Sequence, residues 1–353
     1  MSIELNELLK MAIERKASDL HITVGRGPAF RINGDLKVLG DEKFTSEDTM
    51  KYVRECLEED KLDDFNKLGE ADCSFSLPGL GRFRVNAYKQ RGTAAIVFRV
   101  LATEIPSMSD LNLPAPVREI CSLREGLVLV TGPTGSGKST TIASIINEIN
   151  KSREAHILTL EDPIEYLHKH DKCTVNQREI GHDSISYNNA LRAALREDPD
   201  IIFIGEMRDL ETISIAITAA ETGHLVLSTL HTLGAAKTID RLIDVFPPHQ
   251  QQQVRIQVSM ALKAVLSQRL IPEINGTKRV AAFEYMTVTP AISNLIREGK
   301  TANINMSIQT GGAHGMQLLD KCIADLYKQQ KISKEIAMNY CADRESLQRF
   351  LGV

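Results

Sequence analysis

The period of the apolar positions shifts along the chain. Ile3, Leu5, Leu8, Leu9, Ala12 and Ile13 recur at helical spacing, which predicts an amphipathic helix over 3–16. SDLHITVG then reads as a strand, and AFRINGDLKVL as two short strands about a turn at Asn33, Gly34 and Asp35. TSEDTMKYVRECLEEDKLDDFNKLG reads as helix, with Thr45 or Ser46 as its cap and acids in its first turn. CSFSLPGLGRFRVNAYKQRGTAAIVFRVL alternates and is rich in β-branched and aromatic residues, which predicts two or three antiparallel strands. Residues 1–100 therefore form a small α+β domain whose sheet is exposed on at least one side.

Pro106, Pro114 and Pro116 mark residues 101–116 as a linker or extended crossing segment. Beyond it, apolar strands alternate with helices: strand 127–131, helix 138–151, strand 156–160, helix 186–196, strand 200–204, helix 209–222 and strand 224–229. Such alternation implies an α/β fold with a parallel sheet covered on both faces. The core is expected over 117–270. From about 235 the chain turns mostly helical, apart from a strand at RVAAFEYM, so 271–353 is expected to be a helical region.

Composition narrows the classes. With 353 residues, two or three domains are expected, and burial needs no disulfide or metal support. Basic and acidic residues number 42 and 46, a net charge of −4, so the chain as a whole is not a polybasic nucleic-acid binder. Cys56, Cys73, Cys121, Cys173, Cys322 and Cys341 form no C-x-x-C pair, which argues against a zinc knuckle and fits a reducing cytoplasm. The amphipathic N-terminus is unlike a signal peptide, and no apolar stretch approaches the ~20 residues that span a bilayer.

The chemistry centres on LVLVTGPTGSGKSTT at 127–141. Gly132, Gly137, Lys138 and Ser139 satisfy G-x-x-x-x-G-K-[ST], with a strand before and a helix after. Glycines let the loop's N–H groups turn toward phosphate, and the helix adds its positive end. Lys138 is expected to reach the β- and γ-phosphates and Ser139 to ligate Mg²⁺. IIFIGEMRD ends a strand at Glu206, and LTLEDPIEY ends another at Glu161 and Asp162, stopped by Pro163. Parallel topology brings these ends to the edge that carries the phosphate loop. Glu161 and Glu206 divide two tasks, polarising water and holding Mg²⁺, and the spacing leaves both assignments open. His231 ends a strand at the same edge and suits γ-phosphate sensing, whereas strand polarity sets His224 at the opposite end. Arg82, Arg84 and Arg99 lie on strands of the first domain, where arginines either pave a solvated face or act as fingers that neutralise charge on the transferring phosphoryl group.

ASDLHI, GPTGSGKST, LEDPIEY, GEMRD, TGHLVLSTLHT, RLIDVFP and AISNLIREGK together resemble the secretion-superfamily ATPases, most closely the PilT-type retraction ATPases of type IV pili. The resemblance covers essentially the whole chain. It implies an N-terminal PAS-like domain and a RecA-like ATPase domain, assembled as a homo-hexamer that binds ATP and Mg²⁺. Gly132, Pro133, Thr134, Gly135, Ser136, Gly137, Lys138, Ser139 and Thr140 then correspond to the Walker A loop. Glu161 and Asp162 fall in the Asp box, and Glu206 is the Walker B acid, with Ser139, Glu206 and Asp162 near the metal. His224 and His231 belong to the His box, and Arg84 and Arg99 match the N-terminal-domain arginines that meet phosphate. AISNLIREGK resembles a motif associated with retraction, with Ser293 where the usual pattern has arginine. The implied partners are an inner-membrane platform protein and, indirectly, pilin, with the chain cytoplasmic and peripheral at the inner face of the membrane. Assembly ATPases of the family are usually longer and often carry a cysteine-rich knuckle, so retraction is expected over extension. A docking module with little turnover would lack the strand-end acids, and a nucleic-acid translocase would line a pore with clustered bases or aromatics, which are 5% here.

Overall fold

A computed structural model describes residues 3–352 except Asn33, Asp41, Pro78, Ala102, Thr103 and Thr277. The expected turn at Asn33 thus falls partly outside the described residues. The chain divides into two compact units, Met1–Glu104 with Glu165–Leu167, and Ile105–Ile164 with His168–Val353.

The first unit is built on strands β1 (Asp19–Thr23), β2 (Ala29–Ile32), β3 (Asp35–Val38), β4 (Glu70–Leu77), β5 (Gly81–Gln90) and β6 (Thr93–Val100), in the antiparallel order β3-β2-β1-β6-β5-β4. Strand alternation sorts its side chains. Phe83, Val85 and Ala87 are buried with Leu5, Leu8, Leu9, Phe30, Tyr52 and Phe98, while Arg84 points outward. The helix Leu5–Glu14 brings Leu5, Leu8, Leu9 and Ala12 into that core. Thr45 caps the helix Ser46–Cys56 reciprocally with Asp48. The single helix expected to follow Thr45 is instead two, Ser46–Cys56 and Glu59–Leu68. Leu57 and Glu58 between them are extended, and Leu57 packs into the core. Burial of Leu57 thus breaks a run that propensity alone would continue.

The second unit carries β7 (Gly126–Thr131), β8 (His156–Glu161), β9 (Thr174–Glu179), β10 (Ile201–Ile204), β11 (Leu225–Leu230), β12 (Leu262–Pro272) and β13 (Arg279–Thr287), in the order β13-β12-β7-β11-β10-β8-β9. All neighbours are parallel except the β12–β13 pair. Every residue of β7 is buried. Leu127 and Leu129 join the core under the helices Leu210–Glu221, Ala235–Asp244 and Pro248–Ala261, and Val128 and Val130 join the core under the helix Lys138–Ser152. The α/β architecture is therefore sandwiched on both faces. A further cluster gathers Ile271 and Ala282 with Leu319, Ile323 and Leu347 of the C-terminal helices and with Ile332 from the bend between two of them.

Two strands depart from expectation. β9 reads TVNQRE, in which only Val175 and Glu179 are buried, so its apolar signal is too weak to stand out. β12 follows the helix Pro248–Ala261 directly, with Leu262 already extended and no glycine or proline between. The boundary expected after residue 270 consequently falls inside β12, and the sheet extends through β13 into the region expected to be mostly helical.

Candidate nucleotide site at the strand ends

The phosphate loop leaves β7 at Gly132 and enters the helix Lys138–Ser152 through Gly137, whose φ of 88° suits glycine. Gly132 is required by space. A Cβ there would lie 2.3 Å from the Gln268 carbonyl oxygen and 2.6 Å from Ser136 Oγ. The Lys138 ammonium donates to the carbonyls of Gly132 (2.9 Å) and Pro133 (3.2 Å), so it folds back over the loop. Pro133, Thr134 and Gly135 are exposed, and Ser139 and Thr140 are half-buried at the start of the helix.

The strands beside β7 deliver the other groups. β11 is its neighbour and runs into His231, and β10 comes next and runs into Gly205 and Glu206. His231 Nε2 lies 3.2 Å from Glu206 Oε1, and Thr134 Oγ1 lies 3.5 Å from His231 Nδ1. A carboxylate only accepts, so Nε2 carries a proton, while Nδ1 sits within reach of the threonine hydroxyl. The imidazole therefore bridges the phosphate loop and the strand-end acid. On its other oxygen Glu206 takes Arg208 Nη2 at 2.7 Å. Burial raises the pKa of Glu206, but the Arg208 hydrogen bond, the His231 charge and the Arg208 charge outweigh it, and the carboxyl is held below its usual range.

Glu161 ends β8, next to β10, and is buried. Its Oε1 accepts from Thr159 Oγ1 (2.7 Å) and Gln177 Nε2 (3.1 Å). Gly205 allows the close approach of these tips. A Cβ on it would lie 2.8 Å from the Tyr187 hydroxyl and 3.5 Å from Glu161 Cα. Burial, and after it the negative charges of Asp162, Glu161 and Glu206, push the Tyr187 pKa up. Asp162 is exposed one residue beyond the strand.

His224 does not join this cluster. Its carbonyl accepts from Gly126 N at the start of β7, and its Nδ1 lies 3.1 Å from the Ala219 carbonyl. The six residues of β7 separate it from the phosphate loop, about 20 Å at ~3.3 Å per residue. Within the single chain His224 therefore lies at the opposite end of the sheet from the phosphate loop. Arg84 and Arg99 belong to the first unit, where they are register partners on β5 and β6. Arg99 Nε donates to Asp19 Oδ1 at 3.0 Å, and Arg31 Nε lies 3.8 Å from the same carboxylate. In the AISNLIREGK segment, the helix Pro290–Arg297 buries Ile292 and Ile296, and Ser293 Oγ donates to the Ser259 carbonyl at 2.7 Å.

Sequence reasoning missed the partners that fix the acids. Arg208 stood two positions past Glu206 in GEMRD, a visible opposite charge, whereas Gln177 sits on the unrecognised β9. Among the described residues no three histidine, cysteine or acidic side chains gather into a metal cage, and no helix is long and apolar enough to cross a membrane.

Comparison with known proteins agrees with this layout. The chain is 48% identical over 335 residues to the type IV pilus retraction ATPase PilT of Pseudomonas aeruginosa, covering 95% of this chain and 97% of that one. It is 46% identical to a twitching motility protein of Neisseria gonorrhoeae, over 91% of this chain and 86% of that one. A crystal structure of the pilus retraction motor PilT with bound ADP superposes with a TM-score of 0.92 at 49% identity, over 99% of this chain and 100% of that chain. The model of the type II/IV secretion system protein family matches residues 1–349, and the chain belongs to that family.

Proposed function

We propose that this chain is an ATP-hydrolysing motor that drives type IV pilus retraction. The observation that carries the chemistry is His231, which joins Thr134 of the phosphate loop to Glu206 at the tip of β10. A loop that only docked nucleotide would need no such acid. The direction of the work is supported by the names of its relatives, a retraction ATPase and a twitching motility protein.

In this reading the loop N–H groups and Lys138 take the β- and γ-phosphates. Glu206, ionised and aimed by Arg208 and His231, orients water for in-line attack on the γ-phosphorus. His231 reports the γ-phosphate to the loop. Glu161, pinned by Thr159 and Gln177, supports Glu206 from the next strand. The family resemblance implies that Arg84 and Arg99 neutralise charge on the transferring phosphoryl group.

The residues present fit Mg²⁺. The donors near the loop are hard oxygens, the Ser139 hydroxyl with Glu206 and Asp162, the ligand type that Mg²⁺ takes beside substrate phosphates. When bound, it would supply charge neutralisation for the nucleotide's phosphates. The working form is a homo-hexamer, cytoplasmic and peripheral to the inner membrane, acting on a platform protein and through it on pilin.

Deleting the gene in its native cell tests this. Excess surface pili with lost twitching are expected. Bald cells would assign the chain to extension instead.

A further inference from the structure

Gln268 lies on β12, one residue past the register pair of Ser267 with Thr131, the last residue of β7. It is 2% exposed, and it is set against the phosphate loop. Its Nε2 donates to the Ser136 carbonyl at 2.6 Å. Its backbone oxygen lies 2.3 Å from where a Cβ on Gly132 would go, and its Nε2 sits 3.2 Å from where a Cβ on Gly137 would go. Its Oε1 has no hydrogen-bond partner among the described residues, so the side chain spends its amide on the loop alone.

We propose that Gln268 is a positioning residue for nucleotide binding: its amide holds the Ser136 carbonyl turned away from the anion site, and so keeps the neighbouring loop N–H groups facing phosphate.

A phosphate-binding loop works only if its N–H dipoles converge and its carbonyls face outward. Ser136 is the residue where that choice is fixed from outside the loop, since the donor comes from a strand 132 residues away. The type of side chain matters. An amide donates while remaining neutral, whereas a carboxylate at this position has no proton to give and sets a negative charge behind the phosphates. The residues flanking Gln268 tie the same strand to two other regions. Ser267 Oγ accepts from Gly234 N (2.9 Å), three residues after His231. Arg269 Nη1 donates to the Tyr340 carbonyl (2.9 Å), with its guanidinium 4.9 Å from that ring. The loop is thus shaped by a strand that is braced on both sides.

The inference rests on the nucleotide site proposed above, and the experiment separates the two. The full chain and its Gln268→Met and Gln268→Glu variants are titrated with a fluorescent ADP, and ATP hydrolysis is followed across substrate concentration. Methionine keeps the volume and removes the donor, and glutamate keeps the shape and reverses the donor's role. Loss of one buried hydrogen bond that acts only on binding predicts an ADP Kd and an ATP KM about tenfold higher in Gln268→Met and higher still in Gln268→Glu. In both, kcat at saturating ATP should change much less than KM, the mark of lost uniform binding. A parent chain that binds no ADP overturns the nucleotide site itself. A parent that binds, with folded variants of either kind within twofold of its Kd, overturns the role of Gln268 alone. Loss of the fold in both variants assigns Gln268 to core packing and overturns the inference as well.

Discussion

Adding one methyl group at Gly132 should disable the loop while leaving most of the unit intact. In Gly132→Ala the new Cβ meets the Gln268 carbonyl oxygen at 2.3 Å and Ser136 Oγ at 2.6 Å, and the backbone φ of 148° is one that side-chain-bearing residues rarely adopt. The hydroxyl can rotate away, but the carbonyl belongs to β12 and cannot. Relief requires the loop to move by about 1 Å, and a shift of that size at a site that depends on alignment costs on the order of 10²-fold. Nucleotide affinity should therefore fall about 10²-fold, or about 2.8 kcal/mol. Strain in the altered backbone should lower stability by roughly 1–3 kcal/mol. Calorimetric titration with ADP measures the first, and denaturant unfolding measures the second. An alanine variant with Kd within threefold of the parent would refute the claim that the loop is seated against β12.

Two further outcomes follow from the same geometry. Arg208→Ala removes the hydrogen bond and charge that offset the burial of Glu206. The carboxyl then titrates at higher pH, so the acid limb of the kcat profile should move upward, and an unmoved limb would detach Arg208 from the acid's ionisation. Arg99→Ala, mixed with parent chain before assembly, should depress activity faster than dilution alone, and a strictly proportional fall would mean that the arginine acts on no shared site.

How much of this was readable beforehand depended on the range of each interaction. The phosphate loop is contiguous, and its glycines announce the conformation they must adopt. Glu161, Glu206 and His231 each close an apolar strand, so the alternation of strands and helices was enough to bring them to one edge. The same polarity argument placed His224 at the far end of its strand, where the structure has it. β12 was not readable, because the helix Pro248–Ala261 passes into it without punctuation and both are apolar on a buried side. The polar edge strand β9 gave no periodic signal, which hid Gln177. Gln268 could not be found by spacing at all, since its partner Ser136 lies on the loop after β7, and only the completed sheet order makes β7 and β12 neighbours.

In the proposed mechanism Glu206 acts on water while the loop holds nucleotide. Binding of ATP and release of phosphate, measured side by side in Glu206→Gln, tests it most directly. The substitution keeps size and removes the negative charge that His231 and Arg208 aim. ATP affinity should stay close to the parent's while phosphate release slows by about 10²–10⁴-fold. Phosphate release at the parent's rate, with ATP still bound, would contradict it.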